Sequence, residues 1–272
     1  MKALESEHIG SLHEWQVSKL RRTVVPVVAL LALLAVWELA CDTGLVPAFL
    51  LPSPRAVIAA LVADFPLLLQ HAATTVAEAV LGLAIGVAIG FVFALLMDRF
   101  EIFYLAFSPL MTVSQTIPTI AIAPLLLLWF GYGLAPKVIL IVVTTFFPVT
   151  VSLVSGFRSV DSDMVDLLRT MGASRRQIFR YAKLPAAMEQ FFSGLRISAT
   201  YAIVGAVIAE WLGGFSGLGV YMTRVRKSFA YDKMFASILV ISCLSLALMR
   251  FVDLLEYLAM PWKRAERSTK HD

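Results

Sequence analysis

Charge is scarce in this chain. Asp, Glu, Lys and Arg make up only 15% of its 272 residues, against 59% hydrophobic residues and a mean hydropathy of +0.82. So little polar surface cannot cover a water-soluble globule, and the composition is that of an integral membrane protein. Cysteine is nearly missing as well, and Cys41 and Cys243 suggest neither a disulfide framework nor a metal site. The four histidines, His8, His13, His71 and His271, read as terminal or loop residues, with no HExxH and no Cys/His cluster at metal-ligand spacing. A Gly-x-Ser-x-Gly elbow and a GxxxxGK[ST] phosphate loop are both absent. No metal, no cofactor and no catalytic site are therefore expected on this chain. Period-two alternation is lacking too, which excludes a β-barrel and leaves an all-α membrane protein.

What is present is a series of long apolar runs. A helix needs about 20 such residues to cross a bilayer core, and the runs at 24–41, 75–97, 103–131, 137–156, 190–212 and 234–258 predict six transmembrane helices. Pro109, Pro118 and Pro124 interrupt the third, which reads as one kinked helix or as a helix followed by a shorter one. Of the 23 Lys and Arg residues, fifteen fall on the side holding both termini, six on the other, and Arg196 and Arg250 within spans. The positive-inside rule then makes both termini cytoplasmic. Glu5, Glu7 and Glu14 ahead of the first run argue against a cleaved signal peptide. The expected organisation is a cytoplasmic segment 1–23, a transmembrane domain 24–262 and a cytoplasmic tail 263–272.

The longest cytoplasmic loop carries "VDLLRTMGASRRQIFRYAKLP", Val165 to Pro185. Acids lead (Asp161, Asp163, Asp166) and bases follow (Arg175, Arg176, Arg180, Lys183), the order that suits helix dipoles. Gly172 divides a first short helix from a second, Ser174 is placed to cap the second, and Pro185 is expected to end it before the next span. Leu167, Leu168, Met171, Ile178, Phe179 and Tyr181 would leave an apolar stripe, either lying on lipid or docking in the groove of a partner protein.

This loop, 161–185, resembles the EAA loop of ABC importer permeases. Gly172 and the Leu184–Pro185 pair match at the family's spacing, whereas Asp166 replaces its glutamate, Leu167 and Leu168 its alanines, and Ala182 its isoleucine. "LPSPRAV" at 51–57, "SQTIPTIAIAPLLLLWFGYG" at 114–133 and "AEWLGGFSGLG" at 209–219 are similar to the branch that handles nitrate, sulfonates, taurine and thiamine precursors. "LLMD" at 95–98, "FFPV" at 146–149 and "GLRISATYAIVGAVIAEWLG" at 194–213 look most like the permease for thiamine pyrimidine precursors. The resemblance implies a type I importer permease fold in a bacterial-type plasma membrane, pairing with a second permease chain as a homodimer. It also implies cytoplasmic ATPase subunits, which bind the ATP and Mg, and an extracytoplasmic binding protein that delivers cargo. Asp166, Met171, Gly172, Ala173, Ser174, Ile178, Leu184 and Pro185 would then form the ATPase-coupling element.

Within the spans, Gly82, Gly86, Gly90 and Ala94 recur every four residues, a small-xxx-small stripe for close helix packing inside the chain or between subunits. Glu78 and Glu210 fall near the outer ends of their spans and read either as a shared substrate gate or as locally hydrogen-bonded acids. The broken backbone of spans three and four nominates Gln115, Thr116, Pro118, Thr144, Phe146 and Phe147 for a substrate path, or alternatively as kinks and packing. Arg224, Arg226 and Lys227 enrich the outer loop 213–233 in positive charge, either to dock an acidic patch of a binding protein or to anchor at headgroups. An ion-coupled secondary transporter and an intramembrane enzyme are the rival classes. The first lacks an evident chain of buried ionisable groups, and the second a histidine at membrane depth.

Overall fold

A computed structural model describes residues 24–47 and 50–261, and all of its regular structure is helical. The expected segments 1–23 and 263–272 lie outside the described residues. The first helix, α1 (Val24–Asp42), is followed by α2 (Pro54–Ala63), α3 (Phe65–Arg99), α4 (Glu101–Ser114), α5 (Thr119–Phe130) and α6 (Leu134–Arg158). Then come the short α7 (Ser162–Thr170) and α8 (Arg175–Ile178), a π turn (Phe179–Lys183), α9 (Leu184–Gly213), α10 (Leu218–Lys227) and α11 (Tyr231–Ala259).

Among the described residues, five helical runs are long and apolar enough to cross a membrane, and six if α4 and α5 count as one broken span. Those two are bent by 100° across Gln115–Pro118, so the third span is a sharply folded pair. Pro118 makes the break because it has no N–H for the helix ladder and it restricts Ile117 to extended backbone. Pro109 and Pro124, by contrast, sit inside α4 and α5 without ending them.

The core is the stack of α3, α6 and α9. Gly82, Gly86 and Gly90 lie where α3 crosses α6: a Cβ at Gly82 would fall 2.5 Å from the Ile141 side chain, and one at Gly86 would strike Thr145 and come within 3.2 Å of the Val142 carbonyl. The small-residue stripe therefore packs within the chain. Gly194 on α9 abuts Ser152 and the Pro148 carbonyl of α6 in the same way. Around this stack α11 closes against α9, where Arg196 reaches Asp253 (3.1 Å) and Glu256 (2.6 Å). At the edge, α1 touches the body through Trp37 against Phe235 (centroids 5.9 Å apart) and through Arg55, which pairs with Glu38 and, at 2.9 Å, with Asp42.

Two helices begin well before their apolar runs. The second span starts at Phe65 instead of residue 75, which places His71 inside α3 and buried. Its reading as a loop residue is thus corrected, because Pro66 in the first turn launches the helix ahead of the greasy stretch. Likewise Pro185 does not end the loop's second helix. Helical backbone runs without interruption from Arg175 to Gly213, and the π turn at 179–183 shifts the hydrogen-bond register just where the proline would disrupt an α-helical ladder.

Candidate functional site

At one end of the bundle α7 and α8 form the loop structure between α6 and α9. Asp161 caps α7 by accepting the Asp163 N–H (2.9 Å). The helix closes in a Schellman arrangement, with the Ala173 N–H on the Leu168 carbonyl and the Gly172 N–H on the Arg169 carbonyl, both at 2.9 Å. Gly172 takes φ +83°, the left-handed conformation such a closure demands. Ser174 then starts α8 through a capping box with Gln177, as its position suggested. Ile178 is buried and Leu184 packs against the α3/α6 core, so these two seat the element on the bundle. Met164, Leu167, Met171 and Tyr181 are left exposed, while Asp166 pairs with Arg169 on the surface of α7 (2.9 Å). Sequence reasoning missed one tie: Lys183 in the π turn donates to Asp98 at the end of α3, at 2.5 Å.

The broken span opens two clefts. One, of about 380 Å³, is lined by Gln115, Pro118, Thr144, Phe147 and Tyr201, among others, between the α4–α5 break, α6 and α9. The other, of about 470 Å³, lies toward the α7 end and contains Tyr104, Ser108, Thr112, Ser155 and Arg158, whose guanidinium sits 3.8 Å over the Tyr104 ring. Gln115 lines both. Of the six residues nominated for a path, four thus share a cleft. Thr116 instead bonds back to the Val113 carbonyl (2.7 Å), and Phe146 packs edge-on against Phe93 (5.2 Å between centroids).

Glu78 and Glu210 do come together, but away from both clefts. Glu78 pairs with Lys137 at 2.6 Å. Glu210 accepts the Thr75 hydroxyl (2.8 Å) and the Gly219 N–H (2.7 Å). Thr75 in turn accepts the Leu218 N–H (2.9 Å), and His71 Nδ1 accepts the Gly217 N–H (3.0 Å). Three successive amides at the start of α10 are therefore capped by side chains from α3 and α9. Gly217, at φ +119°, lies so tightly against the Glu210 carboxyl that a Cβ has no room. Thr75 and Lys137 were not singled out from sequence, and His71 was read only as a loop residue. The signal was there: residues 71, 75, 78 and 82 repeat at three and four, continuing the glycine face of α3 toward this end.

On α10, Arg224, Arg226 and Lys227 are exposed and occupy the last turn, where cations favour the helix dipole. Arg224 also donates to the Phe215 carbonyl (3.1 Å). Lys233, the fourth base of this loop, is instead tied to Asp64, which also accepts the Tyr221 hydroxyl at 2.7 Å. Both hydrogen bonds hold the Asp64 carboxyl below its ordinary range. Among the described residues no group of three or more His, Cys, Asp or Glu is placed to hold a metal ion.

Known proteins are similar to this chain in sequence and in fold. Residues 82–258 match the family of binding-protein-dependent transport system inner membrane components. A probable ABC transporter permease protein from Haemophilus influenzae is 38% identical over 232 residues, covering 85% of this chain and 95% of that one. The formylaminopyrimidine transport permease protein ThiX of Halalkalibacterium halodurans is 36% identical over 242 residues, 89% of this chain and 96% of its own. In fold the chain is similar to the MetNI methionine ABC transporter in an inward-facing conformation, with a TM-score of 0.61 at 18% identity over 72% of this chain and 97% of that one. The chain belongs to the family of binding-protein-dependent transport system inner membrane components, the permease subunits of ABC importers.

Proposed function

We propose that two copies of this permease form the channel of an importer for a thiamine pyrimidine precursor, driven by cytoplasmic ATPase subunits and supplied by an extracytoplasmic binding protein. The observation that supports the path is the 380 Å³ cleft at the α4–α5 break. A helix broken at Pro118 frees main-chain groups, and Thr144, Gln115 and the Phe147 and Tyr201 rings supply hydrogen bonds and stacking faces for a small flat heterocycle. The cargo class rests on the kinship with the formylaminopyrimidine permease.

In this reading the α7–α8 element docks in the ATPase groove, its exposed Met164, Leu167 and Met171 serving as apolar anchors. That end is cytoplasmic, and α10 faces outward with Arg224, Arg226 and Lys227 toward an acidic surface of the binding protein. ATP and Mg bind on the ATPase, and this chain carries no chemistry. The test is uptake of labelled formylaminopyrimidine by proteoliposomes holding the assembled importer and its binding protein. Phe147→Ala is expected to lower uptake while ATP hydrolysis continues. Uptake of taurine in place of the pyrimidine would reassign the cargo to the sulfonate side of the branch.

A further inference from the structure

A third cleft, of about 630 Å³, lies where the end of α3 meets α7, α8 and the π turn. Arg99, Arg169, Arg175, Arg176 and Lys183 line it, against Asp98 as its single acid. Lys183 is satisfied by Asp98 at 2.5 Å, and Arg169 pairs with Asp166 at 2.9 Å. Arg99, Arg175 and Arg176 have no acidic partner among the described residues. Arg99 only overlies the Phe100 ring, 5.4 Å from its centroid. Three unpaired guanidinium groups from two helices thus share one hollow, an arrangement that repels itself until an anion enters.

The position of the cleft says which kind of anion fits. Arg99 is the last residue of the membrane-spanning α3, so the opening lies where hydrocarbon gives way to headgroups. Between the cations the lining is apolar, made of Leu95, Val165, Ile178 and Phe179. Val92, one turn before Leu95 on the same side of α3, is exposed, and so are Phe100 and Ile102 just past the helix end, Ile102 to 85%. A cationic rim beside an apolar wall matches a phosphate that carries hydrocarbon. Arginine suits the phosphate, because its planar fork donates two N–H groups to two oxygens at once. The exposed anchors Met164, Leu167 and Met171 stand on a different side of α7 from Val165 and Arg169, so a protein held by those anchors leaves the cleft open to lipid.

We propose that this cleft seats the headgroup phosphate of an anionic phospholipid, whose chains leave along the exposed side of α3 at Val92. The phosphate bridges Arg99 of α3 to Arg175 and Arg176 of α8. It is a second tie beside Asp98–Lys183, so membrane lipid itself steadies the α7–α8 element against the bundle. The site depends neither on the cargo nor on the path proposed above.

The test uses the assembled importer, purified in an uncharged detergent and titrated with phosphatidylglycerol or phosphatidylcholine, with retained lipid counted by native mass spectrometry. The wild type is expected to retain phosphatidylglycerol in preference to phosphatidylcholine. Each basic residue near an anionic headgroup is worth roughly a factor of five, so replacing Arg99, Arg175 and Arg176 together by Gln should weaken phosphatidylglycerol retention about tenfold or more. Replacing Arg224, Arg226 and Lys227 by Gln removes the same charge at the other end of the molecule and should leave most of the retention in place. Equal losses in the two triple variants would reduce the effect to net charge and overturn the proposal. Inorganic phosphate in excess should not displace the lipid; if it does so through the same three arginines, the cleft is a site for free anions. A triple variant that keeps its lipid preference but sheds the ATPase would give the cleft to an acidic protein segment instead, and the lipid assignment would fall.

Discussion

Gly172 has φ +83° and nothing within 4 Å of the place a Cβ would occupy, so its requirement is conformational and not steric. Gly172→Ala should cost about 1 kcal/mol at this turn, because L-residues are strained in the left-handed region, whereas Gly172→Asn should cost less. The readout is cargo-dependent ATP hydrolysis by the assembled importer: alanine is expected to weaken the coupling and asparagine to retain most of it. Equal coupling in all three proteins would remove Gly172 from the mechanism. Asp64 carries a prediction in pH. Its carboxyl is held below the ordinary range by Lys233 and Tyr221, so the folded state binds its proton less readily than the unfolded chain. The stabilisation is present above the usual carboxylate range, near pH 4, and fades as pH falls through and below it. Asp64→Asn should lower thermal stability at neutral pH and show a flatter acid profile than the wild type, while parallel profiles would deny Asp64 this role. Single residues were legible where local rules act alone, as with Ser174 and Gly172 in the loop. Lys137, His71 and Thr75 were not, since their meaning depends on which helix lies opposite, and that is fixed only by tertiary packing.

Elements tell a similar story with a different boundary. Apolar runs revealed where the spans are, yet α3 begins ten residues before its run and the helix ending at Gly213 begins at Arg175. Hydropathy registers burial in lipid, whereas a helix continues as long as its backbone ladder can, past polar residues that lie in the interior or beyond the bilayer. The glycine stripe was readable as a packing face, and the structure adds the partner helix. Gly86→Ala places a methyl on Thr145, and overpacking of this kind costs about 1 to 3 kcal/mol. A drop in Tm of the purified permease checks it, with an unchanged Tm showing that α3 and α6 are free to part. The Asp98–Lys183 bridge joins the end of α3 to the π turn and is only partly exposed. Asp98→Asn is expected to leave the protein in the membrane and reduce cargo-dependent ATP hydrolysis several-fold, because Lys183 loses the partner that ties the π turn to α3. Hydrolysis that follows cargo as in the wild type would show that the bridge is dispensable.

For the whole molecule, orientation is the prediction that everything in the proposed function depends on. With Cys41 and Cys243 replaced, Ser174→Cys should be shielded in intact cells from a thiol reagent that cannot cross the membrane, and Ser216→Cys should react. Labelling of the first from outside would invert the permease and separate α7–α8 from any cytoplasmic ATPase. The unbroken run of 39 residues from Arg175 to Gly213 has a further mechanical consequence. At 1.5 Å per residue it is a lever of about 58 Å, and tilting it by about 2° about its loop end would carry the far end about 2 Å, beyond the slack of a hydrogen bond. Glu210 rides near that far end. A push too small to unseat anything at the loop is therefore large enough, at the other end, to part Glu210 from both the Gly219 amide and the Thr75 hydroxyl.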